Sequence, residues 1–128
     1  MKVIDASAML DVLLGTTRAA DVERHLDDDL FAPEALVGEV HNYVRRLDLE
    51  RTFPLQHVHG IIDVFHRSPI EYLPIWHYSE LMWTWRHSIT SFDAHYVAAA
   101  AHLRCPLLTC DLRLAAAASR EIDVIAVR

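Results

Sequence analysis

The chain has 128 residues, 52% of them hydrophobic, and a formal charge of -6. That length suits one domain, spanning residues 1–128, and that hydrophobic share supplies a core and argues against disorder. The negative charge excludes passive, field-driven binding of nucleic acid, but not nucleic acid as a substrate where a divalent ion among carboxylates supplies local positive charge.

In chain order, Val3-Ile4 reads as a short buried strand and Ala6 to Leu14 as a helix ended by Gly15. A second helix is predicted over Arg18 to Leu26, then a solvated acidic turn at Asp27-Asp28-Asp29. Leu30-Phe31-Ala32 is a second strand, stopped by Pro33. Glu34 to Arg51 is strongly helical, with Leu36, Val40, Val44 and Leu47 at steps of three and four. On the other side of that helix, Glu39, Asn42 and Arg46 share one polar line, with Glu39 and Arg46 about 20° apart around the axis.

Pro54 opens a helix running to about Phe65, and Ile70 to Leu73 is a third strand. Ile75 to His87 is predicted as one aromatic-rich helix whose Trp76, Tyr78, Trp83 and Trp85 serve the core or a protein interface. Thr90 to Asp93 has the form of a capping box before an Ala-rich helix reaching Leu103. Pro106 to Thr109 is a fourth strand, Leu112 to Ala118 a short helix and Val124 to Val127 a fifth strand. Strands alternating with helices imply right-handed crossovers. The expected class is therefore α/β: a mainly parallel central sheet of about five strands between helical layers.

Cys105 and Cys110 do not form a disulfide framework and are expected as buried thiols in a reducing compartment. The apolar start is short and interrupted by Asp5 and Asp11, and no uncharged run approaches the roughly 20 residues of a membrane span. The expectation is a cytoplasmic protein without membrane association.

The chemistry-bearing residues are acids. Asp5 and Asp111 each follow a strand, Asp93 opens a helix, and Glu39 lies on a helix just beyond the second strand. Ligands of open parallel sheets bind beyond the carboxyl ends of the strands, so all four acids can meet at one edge. Massed carboxylates repel and take up protons unless a hard cation such as Mg²⁺ or Mn²⁺ joins them. Asp5, Asp93 and Asp111 also suit helix capping, and Glu39 suits a solvated helix face. Asp11, Asp21, Glu23, Asp48 and Glu50 read as surface acids. Ser7 and Thr109, each two residues from an acid, have hydroxyls fit for a carboxylate, a metal-bound water, a phosphate or a local cap. Arg113 either holds a phosphate with its planar fork or solvates a helix. His41 and His95 lie near the proposed acids, either toward substrate or on the surface.

No HExxH, GxGxxG, Walker or GxSxG pattern occurs. A haloacid-dehalogenase phosphohydrolase wants DxD after its first strand, and Ser7 occupies the second place. A receiver domain needs a positioned Lys, and Lys2 is the only lysine.

Val3-Ile4-Asp5-Ala6-Ser7, Glu39-Val40-His41-Asn42 with Arg45 and Arg46, Trp83 through Ala98, and Leu107 through Leu114 resemble, in order, the recurring motifs of the PIN-domain family. The likeness is greatest to the VapC-type toxins of toxin–antitoxin pairs. Ser88 and Leu112, beside the acids, depart from the family pattern. The resemblance implies a PIN-like three-layer α/β/α domain in which Asp5, Glu39, Asp93 and Asp111 bind Mg²⁺ or Mn²⁺ and cut RNA. It implies dimerisation and inhibition by a cognate antitoxin protein. On that reading Thr109 positions a ligand or water, and Ser7, Asn42, Arg46 and Arg113 contact substrate. A binding module without turnover and an RNA-processing nuclease outside any toxin pair remain as alternatives.

Overall fold

The computed structural model describes residues 1–26 and 29–128. Five strands form one parallel sheet: β1 (Lys2–Ile4), β2 (Leu30–Pro33), β3 (Ile70–Leu73), β4 (Leu107–Thr109) and β5 (Val124–Ala126), in the order β3-β2-β1-β4-β5. The predicted strand count and direction are those observed. The helices are α1 (Ala6–Leu14), α2 (Ala19–Glu23), α3 (Ala35–Leu49), α4 (Leu55–Arg67), α5 (Ser79–Thr84), α6 (Ser91–Leu103) and α7 (Leu112–Ala118). α1 to α4 pack among themselves, while α6 lies on β1, β2 and β4 and α7 on β4 and β5. Right-handed crossovers dictate this division. The chain steps one way from β1 through β2 to β3 and the other way from β3 to β4 and β5, so its helices fall on opposite faces. The result is a three-layer α/β/α architecture.

β1 and β4 form the centre and are buried from end to end. Their registers, Val3 opposite Leu107 and Ile4 opposite Leu108, continue a run of aliphatic residues buried on both faces. α6 is the tightest helix. Ala94 and Tyr96 to Ala100 are all buried, and the alanines let its backbone approach the sheet closely. Ala99→Leu is therefore expected to overpack the sheet and lower stability by about 1–3 kcal/mol, read as a fall in the urea midpoint.

Two expectations change in detail. Pro33 does not stop β2 but ends it, opposite Leu73. Its missing N–H costs nothing there, because β1 has already turned into α1 and the next ladder bond comes from Glu34 N to Leu73 O at 3.4 Å. The aromatic segment is not one helix. It divides into a 3₁₀ turn at Trp76–Tyr78 and the short α5; Ile75 and Trp85 are buried in the core, and Tyr78 and Met82 pack against it half-buried. Trp76 is 81% exposed and Trp83 68%. The four aromatics are spaced by two, five and two residues, which makes no helical stripe, and aromatic side chains lose rotamer freedom in a helix. The Arg86 guanidinium covers the exposed Trp83 ring at 4.7 Å from its centroid. Of the predicted acidic turn, Asp27 and Asp28 lie outside the described residues, and Asp29 is exposed.

Candidate active site

The chain leaves β1 toward β2 and returns on its other side at β4. The crevice beyond the carboxyl ends of β1 and β4 is therefore the point where strand order reverses, the usual ligand site of such sheets. Asp5 and Asp111 follow those two strands. Each caps the helix after it: Asp5 Oδ1 accepts from Ala8 N at 2.9 Å, and Asp111 Oδ1 accepts from Arg113 N at 2.9 Å and Leu114 N at 3.1 Å. Capping and a functional role are thus compatible in both. Asp93 caps nothing. The cap of α6 is Thr90, whose hydroxyl accepts from Asp93 N at 3.4 Å.

Asp5 is 3% exposed and fully organised. Ser7 Oγ donates to its Oδ1 at 2.7 Å, and Thr109 Oγ1, from the neighbouring strand, donates to its Oδ2 at 2.5 Å. The hydroxyls are themselves tied down. Ser7 Oγ accepts from Cys110 N at 2.9 Å, and Thr109 Oγ1 accepts from Asp111 N at 3.0 Å. Burial nevertheless pushes the Asp5 carboxyl up to about 6, against the pull of these donors and with the charge of Asp111 adding to it. Thr109→Val is expected to remove about 1–2 kcal/mol of stability and raise the Asp5 pKa further, whereas Thr109→Ser retains both. NMR titration of the Asp5 carboxyl checks it.

Glu39 projects from α3, half-buried rather than solvated. Burial raises its pKa, the Tyr96 hydroxyl lowers it in part, and the charges of Asp93 and Asp5 raise it again. Tyr96 Oη is near enough to act on Glu39, yet no hydrogen bond of good geometry closes between them. Glu39 Oε1 and Tyr96 Oη are both buried without a hydrogen-bond partner among the described residues. The Tyr96 phenol is driven up by its burial and by Glu39, Asp5 and Asp93. Sequence reasoning missed Tyr96. Its signal was the position one helical turn after Asp93, on the same side of α6.

Asp5, Glu39, Asp93 and Asp111 therefore share one electrostatic field, though no three Asp, Glu, His or Cys side chains among the described residues converge as a ready ligand set. The donors are all oxygens, and a hydrated Mg²⁺ is held through one or two carboxylates with several waters retained. A buried carboxylate oxygen lacking any donor, beside three further acids, is the local chemistry such a cation satisfies.

The remaining candidates lie further out. Asn42 is exposed and makes no hydrogen bond among the described residues, and Arg46 is exposed with its guanidinium 5.4 Å from the Tyr43 ring centroid. Arg113 is exposed and shares with Asp93, Ser88 and Thr90 a hollow of about 100 Å³. His95 turns its Nδ1 to Ser91 O at 2.8 Å, and His41 turns its Nδ1 to Val37 O at 2.7 Å.

Asp11, expected at the surface, is 6% exposed. It accepts from Thr16 Oγ1 at 2.7 Å and pairs with Arg18 Nε at 3.0 Å, off the line of a good hydrogen bond. Arg18 Nη1 donates onward to Cys110 O at 3.2 Å. The α1–α2 turn thus grips the peptide between Thr109 and Asp111. Helical spacing could not show this, because the covering surface is the end of β4. Both thiols are buried as expected, and that of Cys110 is pushed up to about 12 by burial and by Asp11.

The PIN domain model matches residues 2–119 of the chain. Ribonuclease VapC1 of Mycobacterium tuberculosis is 35% identical over 133 residues, covering 98% of this chain and 97% of that protein. Ribonuclease VapC12 of the same organism is 30% identical over 129 residues, covering 98% and 100%. Among solved structures, VapBC2 from Rickettsia felis bound to a DNA fragment from their promoter aligns with a TM-score of 0.70 at 11% identity, covering 99% of this chain and 98% of that one. FitAcB from Neisseria gonorrhoeae gives 0.69 at 15% identity, covering 98% and 96%. The chain belongs to the PIN-domain family. Within it, the fold closely resembles the VapC-type toxin domains of type II toxin–antitoxin systems.

Proposed function

We propose that the protein is a metal-dependent endoribonuclease that hydrolyses RNA phosphodiester bonds and acts as the toxin of a toxin–antitoxin pair. One observation carries the reading. A buried aspartate at the strand-order reversal is fully oriented by Ser7, Ala8 and Thr109 yet unfavourable as a bare carboxylate; it feels the charge of Asp111, and with Asp93 it acts on Glu39. Family membership and the relatives named ribonucleases support a nuclease role.

Asp5, Glu39, Asp93 and Asp111 would hold Mg²⁺ or Mn²⁺. Such an ion supplies a more acidic water and neutralises phosphoryl oxygens. The chain's own residues do the rest. Ser7 and Thr109 keep Asp5 pointed into the crevice. Tyr96 excludes water from the inner side of Glu39. Arg113 offers its guanidinium to a phosphate at the rim, and Asn42 and Arg46 extend the contact along α3. With a net charge of -6, affinity for RNA rests on this local arginine patch. A cognate antitoxin is the expected protein partner, since the chain folds like the VapBC2 and FitAcB structures. The exposed Trp76 and Trp83 offer a homodimer face. Among the described residues no helix is long and apolar enough to cross a membrane.

The lack of a ready three-acid ligand set favours one competing reading, a binding module without turnover. Pure protein incubated with total RNA, with and without Mn²⁺, separates the two. A discrete, metal-dependent cut pattern that disappears in Asp5→Asn and Asp93→Asn is expected. Equal cleavage by all three proteins would show contamination or a misplaced site, and no cleavage by any would leave the binding module.

A further inference from the structure

A second group of ligating side chains lies on α3 and α4, away from the acids. His41 sits two residues after Glu39, about 200° further around α3, and so faces the opposite way. Its ring meets His66 of α4, with Nε2 to Nε2 at 3.2 Å, ring centroids 5.3 Å apart and planes 30° apart. The Val37 carbonyl can only accept, so the proton of His41 is on Nδ1 and the lone pair of its Nε2 is directed at His66. A backbone carbonyl on the far nitrogen is the arrangement that orients metal-ligating histidines. The edge of Phe65, 5.9 Å from the His41 ring centroid, further restrains that ring.

We infer that His41 and His66 form a binding site for a borderline divalent cation such as Zn²⁺ or Ni²⁺, bridging α3 to α4 and distinct from the acid crevice. Two imidazoles bound at about 2.0–2.1 Å to one tetrahedral ion place their nitrogens about 3.3 Å apart and their ring centres about 5 Å apart. Both separations are already present here. Without metal the contact is an imidazole hydrogen bond, with His66 Nε2 donating. Binding needs only that this proton pass to Nδ1 of His66, an exposed residue, so neither ring must move far. Water completes the coordination, because His66 is exposed. Nitrogen donors select Zn²⁺, Ni²⁺ or Cu²⁺ over Mg²⁺ and Mn²⁺, whereas the crevice offers only oxygens. The two sites are therefore separable by choice of metal.

The test uses the untagged full chain. Calorimetry with Ni²⁺ should give one equivalent bound, and the melting temperature should rise by about 10 °C at a hundredfold excess over the dissociation constant. His66→Ala, an exposed change that leaves the fold intact, should weaken binding at least about tenfold and abolish the thermal shift. His59→Ala, at another exposed histidine of α4, should leave both unchanged, and Asp5→Asn should also retain the Ni²⁺ response. An absent response, one that survives His66→Ala, or one shared equally with His59→Ala would mean scattered surface binding and overturn the assignment. Loss in Asp5→Asn alone would move the ion to the crevice and overturn it as well.

Discussion

Asp5→Asn is expected to make the metal-free protein more stable at pH 7.5, by about 1–3 kcal/mol, while removing RNA cleavage. The Asp5 carboxyl is raised from 3.8 to about 6 in the folded state, chiefly by burial. The folded protein therefore binds this proton more tightly than the unfolded chain does. Asp5 contributes its stability fully below pH 3.8 and loses it as pH rises through about 6. The gain from asparagine should be near zero at pH 4, grow between pH 4 and 6, and level off above. Full conversion of the shift gives about 3 kcal/mol. The lower end of the range allows for an amide replacing one acceptor oxygen: Asn keeps an oxygen for Ser7 and Ala8, and its amide group faces Thr109 Oγ1. Urea unfolding of both proteins across pH 4–8 measures the difference directly. In the same experiment, Mn²⁺ should stabilise the wild type at pH 7.5 and leave Asp5→Asn unmoved. A variant less stable than wild type at pH 7.5 would mean that hydrogen bonding at Asp5 outweighs its desolvation.

Arg18→Met is expected to cost about 2–3 kcal/mol and to reduce cleavage, although Arg18 touches none of the four acids. Its loss leaves the buried Asp11 carboxylate with the Thr16 hydroxyl but no cation, and leaves the Cys110 carbonyl without the Arg18 donor. Breaking a wholly buried pair costs about 3–5 kcal/mol. Arg18 keeps 41% of its side chain in solvent, so screening places this pair below that range. The cleavage defect follows from position, since Cys110 lies between Thr109, which orients Asp5, and Asp111. Adding Asp11→Asn should restore more than about 1 kcal/mol, because the stranded charge is then gone. If the double variant is no more stable than Arg18→Met, the cost lies in the carbonyl and in packing rather than in the charge.

Much of the scaffold was legible in order along the chain. The aliphatic runs gave five strands, Gly15 and Thr90 marked helix ends, and the three- and four-residue steps of Leu36, Val40, Val44 and Leu47 gave α3. The aromatic segment misled because Trp and Tyr look buried by type, and their spacing had to be weighed against that. Of the candidate site, the acids were visible as single positions after strands or on helices, but their environments were not. Asp5 caps the start of α1 and Asp11 lies in its second half, and both are buried. Asp11 is paired with an arginine, whereas among the described residues Asp5 has two hydroxyls and the Ala8 N–H but no cation.

The sequence by itself determined the alternation of strand and helix, hence a mainly parallel sheet with right-handed crossovers, while the reversal of strand order beside Asp5 came from the tertiary structure. The alternation follows from periodicity and turn chemistry, which act over a few residues. Only the tertiary structure decided who meets whom: Thr109 on Asp5, Tyr96 beside Glu39, Arg18 on Cys110, His41 against His66. Burial and hydrogen-bond partnership depend on surfaces brought together from as many as 104 residues apart, and no local pattern carries that information.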